Sequence, residues 1–337
     1  MRKYILKQKI ARAKAGDADE QYELGKAYIN GEDVRCNEGK GEKYLLSAAA
    51  QSHAAAQFEL GKFYLKRDKE KAEHWLAKAA TNGSDEAAYL MGMRYFDGKH
   101  APRSLEKAAQ WYAVSAKRGH APSMLMLGKT YSEGKDKKRK AEAKKLFEEL
   151  EKSGDAEAQY HLAHCCLGKD FVRAVELLEK SAKGGFYKAF DELAYYYINE
   201  NTDEGFKKAV NAFTVAAEHG VVYSMFQLGN IYYDGRLNVR CDPDKAFYWF
   251  SKCGDFALTQ VGKCYLYGVG VKRNVKKAVK ILSEEAKFGA PAKYELAHCY
   301  YNGWGVQKDI NRAKELYEQA LKRGVEEAAS DLKEKFK

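Results

Sequence analysis

The chain has 337 residues, a formal net charge of +11 and 45% hydrophobic residues, with only 4 prolines but 28 glycines. This composition favours short helices joined by glycine turns over a β-sandwich or a disordered chain. The mean hydropathy of −0.62 and the lack of a long apolar run exclude a membrane-spanning helix. The basic charge suits an acidic protein, a nucleic acid or an anionic surface, and alone does not choose among them.

The apolar residues at the start of the chain are interrupted by Lys or Gln every two or three positions, so no secretory signal is predicted. The seven cysteines are odd in number and irregularly spaced, which favours free, buried thiols in a reducing compartment over a disulfide ladder. A cytoplasmic protein is therefore predicted, with secretion without a cleavable signal peptide as the alternative.

One motif, Leu-Gly-x-x-Tyr, recurs nine times along the chain at a pitch of 31 to 36 residues. The small residue of the motif, here called the glycine site, is Gly25, Gly61, Gly92, Gly128, Ala163, Ala194, Gly229, Gly262 and Ala297. Leu, Gly and Tyr at this spacing share one face of a helix, and the small residue would let a second helix approach closely. Each copy is therefore predicted to begin with a helix that packs against a partner.

A second motif, Lys-Ala or Arg-Ala, follows in register and predicts that partner helix. It stands at Lys71-Ala72, Lys107-Ala108, Arg173-Ala174, Lys208-Ala209, Lys245-Ala246, Lys277-Ala278 and Arg312-Ala313, and weaker versions stand at Lys40-Gly41 and Glu142-Ala143. An aromatic residue follows three positions after the alanine at Trp75, Trp111 and Trp249. A glycine eleven positions after the alanine is predicted to end the helix in a left-handed conformation, at Gly83, Gly119, Gly154, Gly185, Gly220, Gly289 and Gly324.

In chain order, these signals predict a capping helix over residues 1–15, nine helix–turn–helix repeats over 16–324 and a capping helix over 325–337. The predicted repeat starts are 16, 52, 83, 119, 154, 185, 220, 254 and 289. Polar terminal caps are what a stack of repeats requires, because no single helix pair can bury its apolar face alone. About one helical turn is missing around Cys253-Gly254, so we expect an altered junction between the seventh and eighth copies.

The full pattern resembles the Sel-1-like repeat, which is related to the tetratricopeptide repeat. Two loops carry the resemblance most closely, Tyr267-Gly268-Val269-Gly270-Val271 and Asn302-Gly303-Trp304-Gly305-Val306. The resemblance covers nearly the whole chain and implies an all-α fold, a right-handed α-solenoid. It also implies an adaptor function, since proteins of this kind commonly act by binding other proteins.

The sequence offers no phosphate-binding loop, nucleophile elbow or kinase signature, so no catalytic residue and no cofactor are predicted. The one metal candidate is the cluster His161, His164, Cys165 and Cys166, whose residue types suit zinc. Because Cys166 stands at the tyrosine position of the repeat, a structural role is preferred and no metal is predicted. The basic run from Lys135 to Lys145 is interpreted as a solvated face, with contact to nucleic acid or an acidic surface as the alternative.

By resemblance, the first helix of each repeat lines the concave surface, with exposed positions three residues before and one residue after the glycine site. These positions form an aromatic row beside a basic or amide row. The predicted partner-binding residues are Tyr22, Lys26, Phe58, Lys62, Tyr89, Met93, Lys129, Tyr160, His164, Tyr195, Phe226, Asn230, Lys263, Tyr294 and His298. Packing between adjacent first helices is an equally good explanation of the aromatic row.

The sequence thus predicts a non-enzymatic scaffold that binds a protein or peptide segment, acidic or containing aromatic residues, in this groove. An RNA- or single-stranded nucleic-acid-binding protein is the alternative, because basic charge and stacking aromatics would suit it. Against that alternative, no base-reading pair of residues recurs at fixed repeat positions. A homo-oligomer is also compatible with a long groove, whereas no membrane partner is predicted.

Overall fold

A computed structural model describes residues 2–98, 101–168 and 170–336. In this part of the chain there are twenty α-helices and one 3₁₀ helix, with no strand, which confirms the all-α prediction. Among the residues described, no helix combines the length and the apolarity needed to cross a membrane. Met1 and Lys337, the outermost residues of the two predicted caps, lie outside the described residues.

Contacts divide the chain into two compact units, residues 1–167 and 168–337. The first unit contains α1 to α10: α1 (Arg2–Lys14), α2 (Ala18–Asn30), α3 (Glu38–Ala50), α4 (Ala54–Tyr64), α5 (Lys69–Thr81), α6 (Asp85–Asp97), α7 (Leu105–Ala116), α8 (Ala121–Glu133), α9 (Lys137–Lys152) and α10 (Ala156–Cys166). Each even-numbered helix of this unit carries the Leu-Gly-x-x-Tyr motif, in α10 as Leu162-Ala163 with Cys166, and a helix that carries the motif is called a first helix. The odd-numbered helices are called second helices.

The second unit contains α11 to α20: α11 (Phe171–Lys183), α12 (Lys188–Asn199), α13 (Asp203–Glu218), α14 (Val222–Asp234), α15 (Pro243–Lys252), the 3₁₀ helix η1 (Gly254–Ala257), α16 (Leu258–Tyr267), α17 (Val275–Glu285), α18 (Ala290–Asn302), α19 (Ile310–Lys322) and α20 (Glu327–Lys335). Within each unit, a first helix packs against the second helix before it and the second helix after it.

Every second helix from α3 to α19 begins at a short polar side chain that accepts a hydrogen bond from a backbone N–H in the first turn. These N-cap residues are Asn37, Asp68, Ser104, Asp136, Asp170, Thr202, Asp242, Asn274 and Asp309. Such a side chain satisfies a donor that the helix itself leaves unpaired, typically stabilising the helix by about 1 kcal/mol. The loops between the two motifs therefore end at well-defined helix starts.

The glycine site works as the sequence predicts, by admitting a bulky side chain of the second helix against the first-helix backbone. A Cβ added at Gly92 would lie 2.4 Å from the Tyr112 ring, and one at Gly61 would lie 2.6 Å from Leu76. Such distances are below van der Waals contact, so only a residue without a side chain fits there. Where the site is alanine, as at Ala194 and Ala297, the residue is fully buried.

The side chain that fills this position lies four residues after the alanine of the second motif, not three. Tyr112, Phe213, Phe250 and Tyr317 stand at this position and are almost completely buried. Trp75, Trp111 and Trp249, which the sequence pattern singles out, stand one residue earlier and are only half-buried. The inserted residue shares a helix face with the buried alanine, and residues four apart on a helix are direct neighbours.

The basic residue of the second motif contacts the tyrosine of the first motif in the same repeat. The Lys Nζ lies 4.1 to 5.7 Å from the tyrosine ring centre in six repeats: Lys40 over Tyr28, Lys71 over Tyr64, Lys107 over Tyr95, Lys208 over Tyr197, Lys245 over Tyr232, and Lys277 over Tyr265. A cation over an aromatic face contributes about 0.5–1 kcal/mol at an exposed site. The two motifs are therefore physically coupled.

The closing glycines adopt the predicted left-handed backbone at six of the seven positions. Gly289 is the exception, with φ of −103°, and it forms the N-cap of α18 instead. The preceding helix α17 ends at Glu285, so the chain turns before it reaches Gly289. In the first copy, Ser52 stands at this position, eleven residues after Gly41, and adopts the left-handed conformation at φ of 62° despite its Cβ.

The missing turn at Cys253-Gly254 is confirmed. The first helix α14 begins at Val222, seven residues before its glycine site Gly229, whereas α16 begins at Leu258, only four residues before Gly262. The short 3₁₀ helix η1 replaces the lost turn. The altered angle that we expect at this junction, the right-handed course of the array and the exact repeat boundaries stay predictions.

All seven cysteines are free, as predicted, but they are not all buried. Cys36 and Cys241 are exposed, and each thiol lies within hydrogen-bonding distance of a backbone carbonyl at the end of a first helix. Both stand in the loop that follows a first helix, where the chain crosses the surface. Cys166 is buried, as its place at the tyrosine position predicts.

Replacing Gly92 with alanine tests the packing at the glycine site. The added Cβ would collide with the Tyr112 ring, so the free energy of unfolding should fall by about 1–3 kcal/mol, as for other overpacked cores. Urea unfolding followed by circular dichroism measures this loss.

Gly39→Ala is the matched control, because Gly39 is also helical but an added Cβ would have only Asn37 Oδ1 within 4 Å, at 3.8 Å. This substitution should stabilise the protein by up to about 1 kcal/mol, since alanine forms helix more readily than glycine. A Gly92→Ala variant as stable as the unaltered protein would contradict the packing described here.

Candidate functional site

The predicted partner-binding residues all lie on first helices, and most are half-buried. The half-buried members are Tyr22, Lys26, Phe58, Tyr89, Met93, Lys129, Tyr160, Phe226, Asn230, Lys263, Tyr294 and His298, whereas Lys62, His164 and Tyr195 are exposed. A side chain that is half-buried in an isolated unit already has partners there. Those partners decide how much of each row is left for a ligand.

The aromatic row mostly packs against the next first helix. The Tyr22 ring stacks on His53, the N-cap residue of α4, with ring centres 5.0 Å apart. Tyr89 contacts His120, the N-cap residue of α8, edge-on, with ring centres 6.0 Å apart. The structure therefore favours inter-repeat packing, the second of the two explanations of this row, at these positions.

In the last repeat, the residues at these positions also contact neighbouring helices. The Tyr294 hydroxyl donates a hydrogen bond of 2.7 Å to Asp331 of α20, and His298 Nδ1 lies 2.8 Å from the Tyr317 hydroxyl. Lys335 of α20 forms an ion pair of 2.6 Å with Asp331. Burial, followed by the Lys335 charge, lowers the pKa of His298. The C-terminal helix thus covers two residues that the sequence assigned to partner binding.

The lysines of the adjacent row are paired with carboxylates or rings. Lys62 Nζ lies 2.7 Å from Glu59, Lys129 Nζ lies 2.7 Å from Glu157 of the next first helix, and Lys263 Nζ lies 3.4 Å from the buried Glu295. Lys26 Nζ lies 5.0 Å from the centre of the Tyr22 ring. Paired charges of this kind offer little net attraction to an acidic ligand.

The cluster that suggested a metal site does not converge on one point. His161 stacks on the Phe147 ring at 5.3 Å and lies 3.7 Å from Glu157, whereas Cys166 is buried. Among the described residues, no three His, Cys, Asp or Glu side chains are grouped so that they could hold a metal ion. The basic run that begins at Lys135 forms the exposed start of α9.

One part of the first-helix surface is different, because it exposes a continuous group of aromatic rings. This aromatic patch consists of Tyr195 on α12, Tyr223 and Phe226 on α14, and Phe256 on η1. Tyr223 is 44% exposed and Phe256 is 56% exposed. The ring centres of Phe226 and Phe256 are 5.3 Å apart, and those of Tyr223 and Phe256 are 6.4 Å apart.

The two tyrosines of the aromatic patch also form a polar pair. The Tyr195 hydroxyl donates a hydrogen bond of 3.1 Å to the Tyr223 hydroxyl. Burial and this hydrogen bond raise the pKa of Tyr195, so its hydroxyl stays neutral at physiological pH. The Tyr223 hydroxyl, which accepts this bond, can donate its own hydrogen to a ligand. Aromatic rings with one polar end are common anchors at protein interfaces.

Sequence reasoning found Tyr195 and Phe226 but missed Tyr223 and Phe256. Both missed residues stand six positions before the glycine site, a position that we did not expect to face a ligand. In the other repeats, this position is occupied by small, charged or proline residues: Asp19, Ala55, Glu86, Pro122, Glu157, Lys188 and Pro291. The seventh and eighth repeats both have an aromatic residue at this position, where no other repeat has one. That departure from the pattern is the signal that could have found the patch.

The model of the Sel1 repeat family matches residues 21–53, 54–84, 85–120, 121–155, 156–186, 222–252, 255–284 and 290–325. These eight matches account for most of the chain. The chain belongs to the Sel1 repeat family. The sixth predicted copy is not matched, although its residues form α12 and α13. The family model therefore leaves out the repeat that contributes Tyr195 to the aromatic patch.

Solved Sel1 structures support the same assignment. A protective antigen present in uropathogenic Escherichia coli strains, which displays an SLR fold, is 25% identical over 95% of this chain and 79% of its own length, with a TM-score of 0.58. A Sel1 repeat protein from Oxalobacter formigenes is 26% identical over 97% of this chain and 89% of its own length, with a TM-score of 0.52. Sel1 repeats generally mediate protein–protein interactions and are typically non-catalytic.

Replacing Glu157 with glutamine tests whether the ion pair between Glu157 and Lys129 stabilises the protein. The nearby His161 imidazole, 3.7 Å away, followed by the hydrogen bond from Lys129, lowers the pKa of Glu157 to about 2 from an ordinary value of 4.5. The carboxylate therefore contributes stability above about pH 4.5 that is lost as the pH falls toward about 2. Glu157→Gln should lower the melting temperature at neutral pH, and the difference from the unaltered protein should shrink in acid.

Glu86→Gln is the control, since Glu86 stands at the same position of the third repeat but forms no ion pair with a lysine among the described residues. The difference in melting temperature between Glu157→Gln and the unaltered protein is compared at neutral pH and at about pH 3. If it is the same at both, the ion pairs of Glu157 contribute nothing to stability.

Proposed function

We propose that this protein is a non-enzymatic scaffold that binds a segment of a partner protein across the first helices of its second unit. The aromatic patch of Tyr195, Tyr223, Phe226 and Phe256 is the observation that carries this proposal. Large rings exposed together at the surface cost solvation free energy, and grouped exposed apolar surface of this kind typically marks an interaction site. Family membership supports the same function, because Sel1 repeats generally mediate protein–protein interactions.

The proposed partner segment is apolar or aromatic rather than acidic. Three of the lysines that would attract an acidic segment are already paired with Glu59, Glu157 and Glu295. The rings of the patch can instead bury apolar side chains, at about 25 cal/mol for each Å² removed from water. The Tyr223 hydroxyl can donate a hydrogen bond to a backbone carbonyl of the segment, and Asn230 lies on the same helix.

The same pairing of the lysines argues against the nucleic-acid alternative. Binding to a phosphate backbone is driven largely by the release of counterions when lysines or arginines neutralise phosphates. The aromatic patch itself would stack bases, but Lys263, the lysine of that row in the same unit, is paired with the buried Glu295. An RNA oligonucleotide that bound with steep salt dependence, and lost binding on Tyr223→Ala, would overturn the protein-binding proposal.

The cytoplasm is the proposed place of action. Cys36 and Cys241 are exposed free thiols, and such thiols stay reduced in the cytoplasm but are readily oxidised outside it.

Peptide selection on the immobilised full chain tests the proposed function. A random peptide library should yield segments rich in apolar and aromatic residues, whose affinity is then measured by calorimetry. The double variant Tyr223→Ala/Phe256→Ala should bind the selected peptides at least tenfold more weakly, a loss of about 1.4 kcal/mol, because two anchors of the patch are removed.

Tyr248→Ala is the matched control, since Tyr248 is similarly exposed but lies on the second helix α15. It should leave the affinity unchanged. Peptides that bind the double patch variant and the unaltered protein equally well would show that the aromatic patch is not the binding site.

A further inference from the structure

A second apolar surface, separate from the aromatic patch, lies between α11 and α12 and has an acidic edge. It is a depression of about 380 Å³ lined by Phe171, Val172, Val175, Glu176, Glu179, Tyr196, Tyr197, Asn199 and Glu200. Val172 is 69% exposed, and the Phe171 ring lies 5.1 Å from that of Tyr196. We call this surface the α11–α12 depression.

The apolar residue at position 172 departs from the repeat. It stands two residues before the alanine of the second motif, where six other repeats have a polar or charged residue: Glu70, Glu106, Lys207, Asp244, Lys276 and Asn311. A charged residue at this exposed position keeps the start of a second helix solvated. A valine there, beside an exposed phenylalanine, forms apolar surface that another molecule can cover.

The charge of the α11–α12 depression is opposite to that of the chain as a whole. Three glutamates line it and, among the described residues, no lysine or arginine does, whereas the chain as a whole carries a net charge of +11. Glu176 is partly neutralised by Arg173, at 3.5 Å, but Glu179 and Glu200 remain at the edge. The depression therefore suits an occupant that presents apolar side chains flanked by basic ones.

The N-terminal helix of the same protein has this chemistry. The α1 sequence contains six Lys or Arg residues and no acidic residue. Its Tyr4 is 66% exposed and its Ile5 is also exposed, so an apolar pair stands on an otherwise basic helix. Among the helices described, α1 thus combines the two properties that the depression requires.

We propose that copies of this chain associate through these two surfaces. Tyr4 and Ile5 of one copy occupy the α11–α12 depression of another, and Lys7 lies on the same helix to face the glutamates at its edge. The volume of about 380 Å³ is at the small end of the range for ligand sites, which suits two side chains rather than a whole helix. The contact joins two different surfaces, so it is heterologous.

Sedimentation velocity of the full chain over a range of concentrations tests this proposal. The unaltered protein should associate reversibly, and raising the salt concentration should weaken the association because opposite charges meet in the contact. Val172→Lys, which places a cation in the depression, should weaken the association at least tenfold. The double variant Tyr4→Glu/Ile5→Glu should do the same from the other side of the contact.

Mixing the two variants separates loss of the contact from loss of folding. The Val172→Lys chain keeps its α1, and the Tyr4→Glu/Ile5→Glu chain keeps its depression, so one intact contact remains between them. The mixture should form a one-to-one complex although each variant alone stays monomeric. Ile310→Lys is the matched control, because Ile310 is an exposed apolar residue at the start of another second helix, and it should associate like the unaltered protein.

A protein that stays monomeric at all concentrations overturns the proposal, as do variants that associate normally or a mixture that stays monomeric. An association that salt strengthens also overturns it, since the contact would then not depend on opposite charges. Peptide binding at the aromatic patch is a separate readout: Val172→Lys should leave it unchanged, so failure of this proposal and failure of the proposed function are distinguishable.

Discussion

The close contact between a small residue on each first helix and a bulky side chain of the second helix is the constraint on which the structure depends. At Gly92 and Gly229, the rings of Tyr112 and Phe250 occupy the space where a Cβ would be. This contact sets the distance between the two helices. It thereby brings the lysine of the second motif over the tyrosine of the first, and each helix pair gains a fixed geometry that its neighbours can stack against.

The stacking of neighbouring repeats then determines which positions of the first helix remain available to a ligand. Several of the residues three before and one after the glycine site contact the next first helix or its N-cap, as Tyr22 contacts His53 and Lys129 contacts Glu157. In the last repeat, α20 takes the place of that neighbour and contacts Tyr294 in the same way. These positions serve mainly to join repeats, so a binding surface has to come from other positions or from local departures.

The repeat motifs predicted the helices, the small residues and most left-handed turns, because each of these depends on residues within one copy. The partners of Lys129 and Lys263 could not be predicted in this way, since each lies in the next copy and depends on how two copies meet. The same limit applies to Gly289. Its backbone conformation follows from where α17 ends, and the glycine itself does not determine that end.

The lost turn between the seventh and eighth copies explains why the aromatic patch lies where it does. In a full-length first helix, the residue six before the glycine site belongs to the first regular turn, as Tyr223 does in α14. In the eighth copy that residue is Phe256, and the 3₁₀ helix holds it outside the regular helix, with its ring against Phe226 and Tyr223. The missing turn thus supplies the most exposed ring of the patch. An otherwise uniform repeat array gains a distinctive surface through such an irregularity, because regular positions are already used in stacking.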